Sequence, residues 1–374
     1  MQLRSILVSI CITAVSLTAL PQDIHARNKE TNKRLFDHVE VSSKRVKAKR
    51  GAYSWSNAYA LLVASIFAYE PHPNEGNQRE RAIRRFEKIG LKFCGLKQSN
   101  SYRGKVPPEA RKHAVDPISG KRLKLKETTS ARVDTQYYLL YNDAAVVLAF
   151  RGSDTYRDWY KTNPKILPAN PWDTNRRDYG RVSRGVYWAW AAPRIEDDLV
   201  QRIKRCQQRV NPQAKRGARR KSARKLFLTG HSLGGAIAQL AAFDLAHSFK
   251  MNISGIYTYG QPRWAAGKAM ARSYTQKLKD VSHRWVNADD IVTGVPKPPL
   301  HRHVGRLHHL KRTSPGKRQV KLDAKGMGAR APNHVQHDQL KYAKWIWEKM
   351  PSKVRSRLTS KSAPGKMKKL FYKQ

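Results

Sequence analysis

One stretch limits the folds open to this chain more than any other: Leu226-Phe-Leu-Thr-Gly230-His231-Ser232-Leu233-Gly234-Gly235-Ala236. The run Leu226–Thr229 reads as a short apolar strand. It leads directly into Gly-x-Ser-x-Gly, and an Ala-rich segment, Leu233–Phe249, leaves it as a helix. A strand that turns sharply into a helix at a serine needs glycine on both sides, because side chains at Gly230 and Gly234 would collide across the turn. Gly235 and Ala236 let the helix lie close on a sheet. Ser232 then sits at a helix N-terminus, where free N–H groups and the helix dipole favour developing negative charge. Ser232 is therefore a candidate nucleophile, and the Leu233 N–H a candidate oxyanion donor.

The flanking segments repeat this alternation. Ser56–Tyr69 has helical apolar spacing and stops at Pro71. Arg79–Leu91 reads as a charged helix with Ile83, Phe86 and Ile89 inside, and Pro107–Lys126 as a basic loop. Val133–Tyr141 and Ala144–Phe150 are strand-like and joined by Asn142-Asp143, a hairpin signal. Gly185–Gln208 reads as one long helix carrying Glu196-Asp197-Asp198. Strand Ile253–Tyr259, helix Ala265–Leu278 and strand Val281–Val286 follow, and Asp338–Lys349 is a final amphipathic helix. Such alternation predicts an α/β fold: a mostly parallel central sheet with helices on both faces.

Lys and Arg number 74 against 27 Asp and Glu, a formal net charge of +47. With aromatics at 9% the chain is not disordered by composition, so the charge decorates a packed core. Basicity of this size invites nucleic acid, but no dinucleotide, phosphate-loop or RNA-module signature accompanies it, which disfavours that partner. An anionic membrane or an acidic polymer remains as a candidate surface. Lys215, Arg216, Arg219, Arg220, Lys221, Arg224 and Lys225 concentrate cations in Ala214–Lys225. That segment is expected as a loop entering the strand before Gly230, opposite the strand ends where ligands bind, and reads as a solvated insertion or an anchor.

At the N-terminus, a basic Met1–Arg4, an uncharged apolar Ser5–Leu20 and a small residue at Ala26 form the pattern of a secretory signal peptide. The expected product is secreted or periplasmic. The chain divides into a signal peptide (1–26), a basic flexible leader (27–53), an ordered domain (54–350) starting near Ser54 or Trp55, and a basic tail (351–374). Cys11 leaves with the signal. Cys94 and Cys206 remain, free to pair in an oxidising compartment. Three cysteines are too few for a Cys-based zinc site.

Gly230–Ala236 resembles the turn of the class 3 (fungal-type) lipases of the α/β-hydrolase superfamily. Further motifs match that family in order: Ala149-Phe150-Arg151-Gly152-Ser153 with Asp158-Trp159, Tyr257-Thr258-Tyr259-Gly260-Gln261-Pro262-Arg263, and Val286-Asn287-Ala288-Asp289-Asp290-Ile291-Val292 ending in Val295-Pro296. The likeness covers roughly 55–350. Trp264-Ala265 stands where the family has Val-Gly, and Thr293 where it often has Pro, two changes that bear on the acyl pocket. The resemblance implies an α/β-hydrolase fold and a serine hydrolase that cleaves lipid esters of the triacylglycerol type through an acyl-enzyme. Phospholipase A or another carboxylesterase is the neighbouring alternative. A catalytically weak, polyanion- or membrane-binding protein is the alternative of another class. No cofactor is implied.

A serine nucleophile needs a histidine to take its proton and a carboxylate to orient that histidine. Of the adjacent acids, the family pattern favours Asp290, directly before Ile-Val, over Asp289. His337, followed by Tyr342, fits the base better than His334. His231 reads as a packing residue within the turn. Ser153, after Phe-Arg-Gly, is the implied second oxyanion donor, and Arg151 a structural ion-pair partner. Asp154–Pro168 is the implied lid, with Tyr156, Trp159, Tyr160, Ile166 and Leu167 as its apolar members. His301, His303, His308 and His309 lack nearby carboxylates and a ligand spacing, so no metal site is read there. One of them is expected beside the acid loop.

Overall fold

Both faces of the central strands are covered by apolar side chains, and this is what makes the strands so apolar in sequence. The central sheet of the computed structural model runs, in chain order, through β1 (Lys92–Phe93), β2 (Ser101–Lys105), β3 (Arg132–Tyr141), β4 (Ala145–Phe150), β5 (Lys225–His231), β6 (Ile253–Tyr259), β7 (Ser282–Asn287) and β8 (Arg306–Leu310). Across the sheet the order is β1-β3-β4-β5-β6-β7-β8, with β2 also on β3. β3 and β4 form the expected antiparallel hairpin, and β4 to β8 are parallel. Along β4, Val146, Leu148 and Phe150 enter one core, while Ala145, Val147 and Ala149 enter the other.

The residues described are 33–40, 53–69, 78–94, 101–111, 132–153, 168–170, 179–208, 223–296, 298–310, 337–358 and 363–364. The expected signal peptide, His334, Arg219–Lys221 and the implied lid up to residue 167 lie outside them.

The core that takes Val146, Leu148 and Phe150 is roofed by α3 (Arg184–Glu196), α4 (Leu199–Gln207), α5 (Leu233–His247) and α6 (Lys268–Leu278). The opposite core is roofed by α1 (Trp55–Phe67), α2 (Gln78–Lys88) and α7 (Gln339–Lys349). Ser54 caps α1 by accepting the Asn57 N–H, and Asp338 caps α7 by accepting that of Leu340. A smaller antiparallel sheet pairs Pro168–Ala169, Arg181–Ser183, Ala265–Ala266 and His301–Arg302.

Several expectations need correction. The single helix over 185–208 is two, because Asp198 adopts a left-handed φ of 48° at the start of α4 and Asp197 turns aside to accept the Tyr137 hydroxyl at 2.8 Å. Ala265–Ala266 joins the small sheet instead of opening a helix, and Gly267, at φ 93°, starts α6 two residues later. Within the stretch expected to be a flexible leader, Leu35–His38 forms a helical turn with Leu35 and Phe36 buried, and the Phe36 N–H donates to Ile89 O at 2.8 Å. In the C-terminal tail, Ser352–Arg355 is helical and Leu358 is buried. Arg224 is part of the fold, not of a solvated insertion: it donates to the carbonyls of Asn142, Cys206 and Gln208 and lies over the Tyr141 ring. Cys94 and Cys206 are disulfide-bonded, joining the turn after β1 to α4 across a sequence separation of 112.

Candidate active site

Parallel strands deliver loops to one edge of a sheet, and here four loops meet at the C-terminal ends of β4, β5, β6 and β7. Phe150 pairs with Gly230 in register, so Ser153 and Ser232 leave neighbouring strands side by side. Ser232 has φ 56° and ψ −131°, the strained turn expected between β5 and α5. A β-carbon at Gly230 would strike the Gly234 backbone, as expected. One at Gly234 would instead strike the Phe150 and Arg151 backbone, so that glycine serves the approach of the 150–153 loop. Leu233 opens α5, and a first-turn N–H has no acceptor within its own helix. Ser153 is half-buried, and a β-carbon on Gly152 would lie 3.0 Å from Ser232 Cβ.

Asp290 and His337 are brought together. His337 Nδ1 lies 3.0 and 2.9 Å from the two Asp290 carboxylate oxygens. Asp290 is buried, and its Oδ1 also accepts the Val292 N–H at 2.9 Å. Tyr342, fully buried on α7, donates its hydroxyl to Oδ2 at 2.6 Å and accepts the Asn287 N–H at 3.0 Å. Desolvation, reinforced by the Asp290 charge, pushes that phenol well above its ordinary pKa, so it stays a donor. Sequence reasoning used Tyr342 only to locate His337. The available signal was that a buried tyrosine seeks a partner for its hydroxyl. Asp289 is half-exposed and is not the carboxylate facing His337.

The two halves meet through Ser232's neighbours. The Ser232 N–H donates to Tyr259 O at 2.9 Å, and the next residue, Gly260 (φ 58°), lies so close to Asp290 and His337 that a β-carbon would fall 2.8 Å from Asp290 Oδ2. His231 is buried, with its ring centroid 4.4 Å from that of His337. It bonds Tyr69 and the His337 carbonyl and so does more than pack. Arg151 donates to Gln136 Oε1 and lies over the Tyr69 ring. Two of the C-terminal histidines reach the acid loop: His303 Nε2 lies 2.7 Å from Thr293 O, and His309 Nε2 2.8 Å from Ala288 O. Arg263 donates to the carbonyls of Gly294 and Pro296 from the other side.

Residues 147–299 match the sequence model of the family described as lipase (class 3). The secreted mono- and diacylglycerol lipase A of Penicillium cyclopium is 30% identical over 173 residues, 46% of this chain and 49% of that protein. The lipase of Rhizomucor miehei is 27% identical over 237 residues, 62% of this chain and 60% of that one. The chain thus spans about half the length of the Penicillium relative it matches. The solved structure of the native Rhizomucor miehei lipase propeptide complex is 20% identical over 77% of this chain and 81% of that one, with a TM-score of 0.48. Over the matched stretch 147–299 the chain is similar to the class 3 lipases, and its mostly parallel sheet with helices on both faces is an α/β-hydrolase fold.

Proposed function

We propose that the protein is a secreted serine hydrolase that cleaves carboxylic esters of lipids, acylglycerols first among them. The observation that carries the reading is the Asp290–His337 pair packed on Gly260, next to the Tyr259 carbonyl that accepts the N–H of Ser232, a serine at φ 56° on a strand-to-helix turn. Ser232 Oγ attacks the ester carbonyl while His337 takes its proton. Asp290, held by Val292 and Tyr342, keeps the imidazole oriented with Nδ1–H toward the carboxylate and stabilises the imidazolium that forms. The charge on the carbonyl oxygen falls to the Leu233 N–H and to Ser153. His337 returns the proton to the departing alcohol, leaving an acyl-enzyme, and activates a water to release the acid. No described helix is long and apolar enough to cross a membrane, and the basic-then-apolar N-terminus supports export.

The test is a chain-length series of chromogenic esters. Ser232→Ala is expected to lower turnover by ~10⁴–10⁶, and His337→Ala by a similar factor, because the groups act as a unit. His334→Ala is expected to cost far less. Retained turnover in Ser232→Ala would remove the proposal, and a larger loss in His334→Ala would move the base.

A further inference from the structure

A chain of hydrogen bonds crosses the site without involving the carboxylate. Tyr69, just past the end of α1, places its hydroxyl 2.9 Å from His231 Nδ1. The Gly152 N–H donates to the same phenolic oxygen. On the far side of the ring, His231 Nε2 lies 2.9 Å from the backbone carbonyl of His337. The chain therefore touches the 151–153 loop, the residue before Ser232 and the residue that carries the proposed base.

The direction of every bond follows from what each atom can do. A carbonyl only accepts, so the His231 hydrogen sits on Nε2. The ring is neutral, because burial and the neighbouring His337 both hold its pKa well below the ordinary value. Nδ1 is thus a bare lone pair, and it takes the Tyr69 proton. Burial also keeps Tyr69 protonated, although Arg151 over its ring and the Gly152 N–H act the other way. The other groups facing His231 are the rings of His337 and Tyr342. Both are donors toward Asp290, so neither competes for Nδ1. The sequence is Gly152 N–H to Tyr69 O–H to His231 Nδ1, then His231 Nε2–H to His337 C=O, with one tautomer throughout.

We propose that Tyr69 and His231 are positioning residues that fix the spacing between the oxyanion loop, the nucleophile turn and the base. The proposal rests on the hydrolase reading above. His337 precedes α7, so the first-turn bonds of that helix do not hold its backbone. Asp290 anchors its ring, and His231 anchors its carbonyl. The two anchors together set the angle at which Nε2 of His337 meets Ser232. Tyr69 also presses on Gly152 so closely that a β-carbon there would strike its hydroxyl, which fixes the loop that carries Ser153. Misplacement of such groups by about 1 Å costs ~10²-fold in rate, without a matching loss of binding.

The experiment compares wild type, Tyr69→Phe, His231→Ala, His231→Gln and the double variant Tyr69→Phe/His231→Ala. A soluble chromogenic ester gives kcat and KM. A p-nitrophenyl alkylphosphonate gives the rate at which Ser232 Oγ bonds to phosphorus and expels p-nitrophenolate. Tyr69→Phe should lower kcat by about tenfold and His231→Ala by ~10², with KM within about twofold. The double variant should be no slower than His231→Ala, since coupled residues are not additive. His231→Gln should recover part of the loss, because its amide N–H can donate to the His337 carbonyl. Histidine ¹⁵N spectra of the wild type, which require no folded variant, should show His231 neutral with its hydrogen on Nε2. An Nδ1–H tautomer, independent effects in the double variant, or a change confined to KM would overturn the proposal. Failure of the phosphonate to label wild type would reject the hydrolase reading itself. Labelling of wild type and Tyr69→Phe at equal rates would reject only the positioning role.

Discussion

Asp290 illustrates how a single carboxylate is made useful by what surrounds it. A buried anion without partners is strongly disfavoured, and here His337, Val292 and Tyr342 share two oxygens between them. Tyr342 reaches Asp290 at 2.6 Å from a helix on the far side of the site, so Tyr342→Phe removes a donor and leaves the packing volume almost intact. The expected result is a fall in kcat of about tenfold at nearly constant KM on a soluble ester, because a hydrogen bond to a charged group is worth ~1.5–3 kcal/mol and only part of it bears on orientation. Unchanged kcat in a folded Tyr342→Phe would show that His337 and Val292 suffice. Asp290, directly before Ile-Val, is buried, while Asp289 beside it is half-buried.

At the scale of elements, the edge of the sheet is polar where its centre is not. β7 and β8 carry His283 and His308, whose ring nitrogens lie 3.1 Å apart, with the Tyr53 ring stacked on His308. Burial, then His308 and Arg306, pushes His283 down to about 3, and burial, then Arg306 and Arg284, pushes His308 down to about 4. In the unfolded chain both take up protons near pH 6.5. The unfolded state therefore binds more protons between about pH 6.5 and 4, and stability falls as pH drops through that window. Urea melts should show a midpoint that is flat above pH 7 and declines below 6.5, with a shallower decline in His308→Gln; equal slopes would place the acid sensitivity elsewhere. The strands and helices near the motifs were legible because their apolar period and glycine punctuation are local. What was not legible depends on tertiary pairing. Ala265–Ala266 is strand only because Arg302 and Val182 lie beside it, and the docking of Leu35 and Phe36 requires Ile89. The 185–208 segment keeps helical period throughout, and only the left-handed turn at Asp198 divides it. Ser232, Asp290 and His337 are candidates from motif context, whereas Tyr69 is tied to His231, next to the serine, and Tyr342 to Asp290, by contacts across 162 and 52 positions that no spacing rule reveals.

For the whole molecule, the disulfide and the charge are the two global constraints. Cys94–Cys206 closes a separation of 112 residues, for which the chain-entropy description gives about 4–5 kcal/mol. Non-reducing peptide maps should recover the two cysteines in one linked species, and reduction should lower the melting temperature; two free thiols in the native protein would exclude the bond. If the net charge of +47 draws the protein to anionic interfaces, turnover on vesicles of anionic lipid should fall as salt rises from ~0.05 to ~0.5 M, while a soluble ester is hydrolysed at nearly the same rate. Neutralising Arg219, Arg220 and Lys221 together should weaken vesicle binding by up to ~10²-fold. Equal activity on neutral and anionic vesicles at low salt would make the charge irrelevant to substrate access. A last consequence concerns biosynthesis. α7 packs on α1, with Trp347 against Tyr59, so a segment made later closes over one made earlier. The turn that carries Ser232 is complete well before residue 337 emerges. A nascent chain halted before residue 337 would display the proposed nucleophile without its proposed base, and would lack the proposed activity until that segment is made.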